Sequence, residues 1–436
     1  MTNNSAHRPR GKPLGTLELI AIALGGMIGG GIFTILGISV EMIGSLTPIA
    51  IIIGGVLASL AAYSYVKLAV YYKDEGATYS FFKLTFPKHP FAASMIGWFI
   101  IFGYISTLAL YAYTFASYAI GGSGVSDSEW LRKVIAGCII ALFALVNIWS
   151  VRGMGKLEDI MVYSKLMILA IIAFVFINNS NTTLPDLIPQ TQNASLLTVL
   201  IVASVTFVAF EGFQLVIHAM NEMDHPEKKI PKAIYTSIAL ATLIYAVIAL
   251  GTIMAIPFES IIRDKEYALA AGANHIIGEW GKELVIIGAL LATSSAISGT
   301  LFGASRLMTV IAKDGYFPAL LTKKNSHSPV NAIICLALLA FLLVLIGGLQ
   351  LILEFGSITF LFVSLLMAYA NFKIRHKTDS SLSLTLLAIA GLGMGTLLIL
   401  YFELTHNPQQ LIFITTIYAV LTVASWLYSK NSSTSR

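Results

Sequence analysis

Charge is scarce in this sequence. Of its 436 residues only 11% are Asp, Glu, Lys or Arg, while 57% are hydrophobic and the mean hydropathy is +0.81. A water-soluble domain of that composition would expose too much apolar surface, so the chain is read as a polytopic membrane protein. Cysteine is rarer still. Cys138 and Cys335 both fall in apolar stretches, which argues against a disulfide framework or a thiolate metal site and predicts core packing for both. Also missing are an HExxH, a GxxxxGK[ST] loop, and paired aspartates or a Ser-His pairing within the apolar spans. Their absence argues against an intramembrane enzyme and an ATP-driven pump. No basic cluster interleaved with aromatics exists, so nucleic acid is not an expected partner. The first dozen residues are polar and basic, and the apolar stretch after them shows no small-residue cleavage pattern, so no removable signal is expected.

What is abundant is apolar sequence in membrane-length runs. Twelve can be drawn, at about 16–40, 47–72, 91–120, 131–150, 158–177, 196–220, 232–257, 282–312, 330–347, 349–372, 383–403 and 409–428. Each suits a hydrocarbon core of roughly 30 Å. The boundary near Gly347, Gly348 and Gln350 is the weakest. With the N-terminus inside, cytoplasmic segments hold 19 Lys and Arg and outer segments 5, which supports an even number of crossings and cytoplasmic termini.

Glycine is concentrated where it is least expected. "LGGMIGGGIF" (24–33) carries five glycines in ten positions of the first span, although each costs roughly 1 kcal/mol in a helix interior. A counterpart lies in "TFVAFEGFQLV" (206–216), where Glu211 and Gly212 interrupt the sixth span. Gly31 and Gly212 are 181 residues apart, each in the first helix of a five-helix set. Since five is odd, the second set enters the membrane from the opposite side, as in an inverted repeat whose broken helices build a solute site near the midplane. The expected organisation is an N-terminal cytoplasmic segment (1–15), repeats at 16–177 and 196–372, two additional helices within 383–428 and a cytoplasmic tail (429–436). Freed N–H groups at such a break attract a carboxylate and freed carbonyls an ammonium. A solute with both groups on one carbon fits that pair of ends. The alternative is that Gly25, Gly29 and Gly31 form a small-residue packing face.

"GGMIGGGIF" resembles the first-helix motif of the amino acid–polyamine–organocation permeases, and "FVAFEGFQ" with "NEMDHPEKKIPKAI" (221–234) resembles their sixth helix and inner loop. "EGATYSFFKLTFP" (75–87), "VNIWSVRGMGKLEDIMVYSK" (146–165) and "GASRLMTVIAKDGYFPALL" (303–321) extend the resemblance, in order, over about residues 14–330. It implies a leucine-transporter-type fold. It also implies that the N–H groups of Gly30 and Gly31, with Gly29 close by, receive a substrate carboxylate, and that the carbonyls of Met27, Val208 and Glu211 receive its amino group. Several relatives have a bulky aromatic gate where this chain has Val208, flanked by Phe207 and Phe210. That departure implies a different or roomier side-chain pocket.

Ionisable groups within spans cost about 2.5–3.5 kcal/mol at a helix centre on insertion scales, so each asks for a partner or a function. Glu211 reads as a contact for a cationic side chain, a proton carrier, or a cap for freed N–H groups. The resemblance places Lys165 where sodium-coupled cousins hold their ion, between helices 1, 5 and 8, and snorkelling is its alternative. Lys67 and Arg306 read as snorkelling or inner ion pairs. The hydroxyls of "TSSAIS" (293–298) line the cavity or join helices. His218 lacks partners at ligand spacing, so no metal and no cofactor is expected. The resulting expectation is a multi-pass cell-membrane protein carrying amino acids by alternating access, with proton symport as the leading mode. Exchange and a non-transporting sensor are the alternatives.

Overall fold

The computed structural model describes residues 13–121, 128–149, 151–180, 195–264, 267–323 and 328–434, and no β-strand occurs among them. Residues 1–12 of the expected cytoplasmic segment lie outside the described residues. The first crossing is in two halves, α1 (Thr16–Met27) and α2 (Gly31–Ile43). It is followed by α3 (Thr47–Tyr72), the short α4 (Ala77–Thr85), α5 (Pro90–Ile120), α6 (Glu129–Trp149) and α7 (Val151–Asn178). The sixth crossing is also broken: α8 (Leu196–Val205), a 3-10 turn (Thr206–Phe210) and the single turn α9 (Leu215–His218). Then come α10 (Pro226–Ala255), two short helices α11 (Phe258–Asp264) and α12 (Ala268–Ile277), α13 (Glu279–Lys313) and α14 (Val330–Ile346). The chain closes with α15 (Leu349–Lys373), α16 (Leu382–His406) and α17 (Pro408–Thr434).

Among the described residues ten stretches are long and apolar enough to cross a membrane; α1 completes the first of them and α14 is a shorter apolar helix. Because the stretch Gly31–Tyr72 turns at Gly44 (φ +54) into a separate α3, the number of passes reaches the expected 12. This polytopic all-α architecture is the one that the resemblance implies. The doubtful boundary falls at Gly347 and Gly348, between α14 and α15. The expected tail at 429–436 instead prolongs α17 to Thr434.

Local chemistry sets many of these boundaries. Proline occupies the first turn of α3, α5 and α10, where its missing N–H costs no bond. Ser195 caps α8 by accepting the Thr198 N–H at 3.1 Å. The broadest packing is α3 on α10 and α5 on α13, which surrounds the two broken crossings; α16 and α17 clad the outside against α3, α5 and α15.

One expectation fails here. Cys138 is exposed on α6 and so is not a core residue, whereas Cys335 is half-buried on α14 and packs against the core. An apolar span has no polar side to mark which face turns to lipid, and hydropathy alone does not orient it.

Candidate functional site

The first break spans Ile28 to Gly30. The Gly29 N–H turns back to the Met27 carbonyl at 3.0 Å, and α2 restarts with the Thr34 N–H on the Gly30 carbonyl at 3.1 Å. The N–H groups of Gly30, Gly31, Ile32 and Phe33 consequently have no acceptor among the described residues. Unpaired donors at a helix start, with about half a positive charge from the dipole, make an anion site.

The carbonyl end of α1 is held by side chains from three other helices. Lys165 of α7, fully buried, donates to the carbonyls of Gly25 (3.1 Å) and Ile28 (2.6 Å) and to Ser295 Oγ of α13 (2.8 Å). An ammonium has three donors, and all three are used at the negative end of a helix dipole. Tyr111 of α5 donates to the Gly26 carbonyl at 3.0 Å, and Tyr245 of α10 to that of Met27 at 2.7 Å.

The second break lies against the first. Gly212 has φ +128, and a Cβ there would stand 2.5 Å from the Gly26 carbonyl carbon and 2.6 Å from the Met27 nitrogen. A Cβ on Gly31 would meet the Ala209 side chain at 2.9 Å. Gly31 and Gly212 therefore let two backbones touch as well as leaving donors uncovered. Ser357 of α15 steadies the 3-10 turn, accepting from the Val208 N–H at 3.3 Å and donating to the Val205 carbonyl at 2.5 Å. Gln214 accepts from the Gly212 N–H at 3.3 Å and donates to Glu211 Oε2, while Glu211 Oε1, in a residue 3% exposed, has no partner among the described residues.

Glu211 faces a cavity bordered also by Gly26, Tyr104, Tyr111, Thr300 and Phe360. Its volume of about 10 Å³ is near that of a single water-sized probe. An amino acid does not fit while the breaks are this close. A much larger vestibule of about 640 Å³ opens where α2 ends, lined by Thr34, Glu41, Tyr113, Arg132 and Gln350. Thr34 is one turn of α2 from the free donors at Gly30 and Gly31, roughly 5 Å along the axis.

Comparison with known proteins agrees with this architecture. The family model described as amino acid permease matches residues 14–436. The chain belongs to the amino acid permease family. Similar proteins include the inner membrane transport protein YbaT of Escherichia coli, 27% identical over 89% of this chain and 88% of that one. Cationic amino acid transporter 7, chloroplastic, of Arabidopsis thaliana is 28% identical over 83% of this permease and 65% of its own length. The branched-chain amino acid permease BcaP of Bacillus subtilis is 24% identical over 72% and 69% respectively.

The other residues singled out in the sequence fall around the breaks. In this permease Phe207, Val208 and Phe210 are buried in the turn that precedes Glu211 and do not line the small cavity, with the Phe210 ring 5.5 Å from that of Tyr245. The 293–298 hydroxyls divide: Ser295 meets Lys165, and Ser298 accepts from Asn147 of α6 at 3.5 Å. Lys67 donates to the Asp379 carbonyl at 2.6 Å, and the Arg306 guanidinium lies 3.1 Å from the Phe302 ring centre. His218 contacts the Glu75 carbonyl at 2.6 Å. Sequence reasoning missed Tyr111, Tyr245, Gln214 and Ser357. Their signal was faint, since a single Tyr or Ser in an apolar span is ordinary, and only the spatial meeting with a helix end distinguishes it.

Proposed function

We propose that this permease is a secondary active amino acid transporter working by alternating access, with its solute bound by backbone at the breaks in crossings 1 and 6. The observation that carries this reading is the set of four unpaired N–H groups at Gly30 to Phe33, placed a turn from the vestibule and opposite the second break. A carboxylate would take the Gly30 and Gly31 donors, with Gly29 alongside. The ammonium would take the carbonyls of Met27, Val208 and Glu211. The Met27 carbonyl now accepts from Tyr245 and from the Gly29 N–H, so a substrate must displace one of them. That exchange makes binding and rearrangement of the breaks one event. Phe207 and Phe210 serve as the gate beside Val208.

The repeat boundaries at 16–177 and 196–372 belong to the same proposal. Supporting them, breaks occur in crossings 1 and 6, and the heaviest pairings, crossing 2 with 7 and 3 with 8, also join helices five apart. With Lys and Arg collected on the cytoplasmic side, the protein sits in the cell membrane with both termini inside and the vestibule facing out.

Coupling is assigned to Lys165 and protons, with Glu211 as a second candidate carrier. A fixed ammonium bonded to carbonyls of crossing 1 and a hydroxyl of crossing 8 stands where a sodium ion would need those same oxygens. The favoured substrate is neutral and fairly apolar, because Glu211 is the one acid at a cavity otherwise bordered by Tyr104, Tyr111, Leu215 and Phe360. Exchange of amino acids or amines is the second reading, supported by the same donor set; in it Lys165 only ties helices 1, 5 and 8. A thermal-shift screen of the twenty amino acids and common amines identifies the ligand, since binding to the folded state alone raises stability. Uptake of that labelled ligand into proteoliposomes is then expected. Binding without uptake or exchange would point to a sensor.

A further inference from the structure

Two more acids are buried away from the broken helices. Glu354 of α15 and Glu403 of α16 are 1% and 0% exposed, and they sit at the same end of two antiparallel helices that pack on each other, Glu354 near the start of α15 and Glu403 near the end of α16. The Gln350 amide donates to Glu354 Oε1 at 2.7 Å. Glu354 Oε2 and both Glu403 oxygens have no hydrogen-bond partner among the described residues. Two ionised carboxylates kept from water on neighbouring helices are costly and repel one another, so a proton on one of them relieves both penalties.

Among the described residues, no Lys or Arg is bonded to this pair. Of the elements packed on α15 and α16, the helices α5, α8 and α14 and the turn 206–210 carry no charged residue. Lys67 of α3 is bonded to the Asp379 carbonyl, Lys83 of α4 pairs with Asp314, and Lys430 of α17 lies over Trp426. The remaining titratable group whose charge reaches the pair is His406, exposed at the end of α16 with its ring stacked on Phe402. Gln350 itself lines the 640 Å³ vestibule, so a polar route joins the pair to that space.

We propose that Glu354 and Glu403 form a proton-binding site, open to the vestibule through Gln350 and separate from Lys165 and Glu211. The bound proton neutralises one of the two carboxyls, leaving the pair with a single negative charge that the Gln350 amide partly offsets. It gives the chain a place to load a proton that is distinct from its substrate donors.

Infrared spectroscopy of the full chain in liposomes at neutral pH tests this without any substrate. The unmodified protein should show the carbonyl band of a protonated buried carboxyl, and Glu354→Gln/Glu403→Gln together should remove it. Glu211→Gln should leave that part of the band in place. In heavy water the band should shift as the proton exchanges, and Gln350→Leu should slow the shift. A melting temperature for the double variant near that of the unmodified protein shows that the loss is local, as Gln preserves shape. A band that survives in the double variant, or is absent from the unmodified protein, overturns the proposal. Loss of the band on adding sodium or magnesium at constant pH would overturn it in favour of a cation site.

Discussion

The hydroxyl of Tyr245 lies 2.7 Å from the Met27 carbonyl, and its proton is shared with the Ala209 carbonyl at 3.1 Å. One side chain from α10 thereby ties the break in the first crossing to the break in the sixth. Tyr245→Phe should leave buried carbonyls short of a donor and destabilise the protein by about 1–3 kcal/mol. It should also free Met27 for a substrate ammonium and tighten binding. Melting curves and ligand titration together check this; a lower melting temperature without tighter binding would separate the tie from the binding site.

Gly31 stands between the donor and packing readings of the glycines. Gly31→Leu should lose ligand-induced stabilisation altogether, because its side chain covers the free N–H groups and meets Ala209. Gly31→Ala combined with Ala209→Gly removes the 2.9 Å side-chain contact, keeps only the close approach to the residue 209 Cα at 3.0 Å, and leaves the donors open. That pair should fold and bind. If Gly31→Leu transports normally, the glycines serve packing alone.

Glu211→Gln separates charge from shape at the small cavity. For a carboxylate that reads a cationic side chain, the variant shifts preference from basic toward neutral amino acids. For a proton carrier, accumulation falls while ranking holds. Competition assays with lysine and leucine decide between these, and an unchanged ranking with unchanged accumulation leaves Glu211 neither role.

Lys165→Ala should abolish proton-driven accumulation while sparing part of ligand binding. It removes three hydrogen bonds from the end of α1, so some loss of stability, about 1–3 kcal/mol, is expected as well. Uptake by the unmodified protein should rise with an inward proton gradient and ignore replacement of sodium by potassium. Sodium-dependent uptake would remove the coupling role from Lys165.

Much of this molecule was legible in the chain itself. The thickness of a bilayer dictates the length of an apolar run, so the crossings could be drawn from hydropathy, and their limits agree with the helices to within a few residues at most ends. Glycine's low helix propensity marked both breaks. The family was readable because "GGMIGGGIF", "FVAFEGFQ" and the loops after them lie in order along the chain.

What tertiary structure alone decided is which groups face one another. A uniformly apolar helix does not announce its buried side, so Cys138 was misplaced and the burial of Glu354 and Glu403 went unseen. Tyr245 is 218 residues from Met27, and Lys165 is 137 from Ile28. Helix formation is local and written in neighbouring residues. The partners of freed backbone groups come from distant helices, and packing alone brings them there.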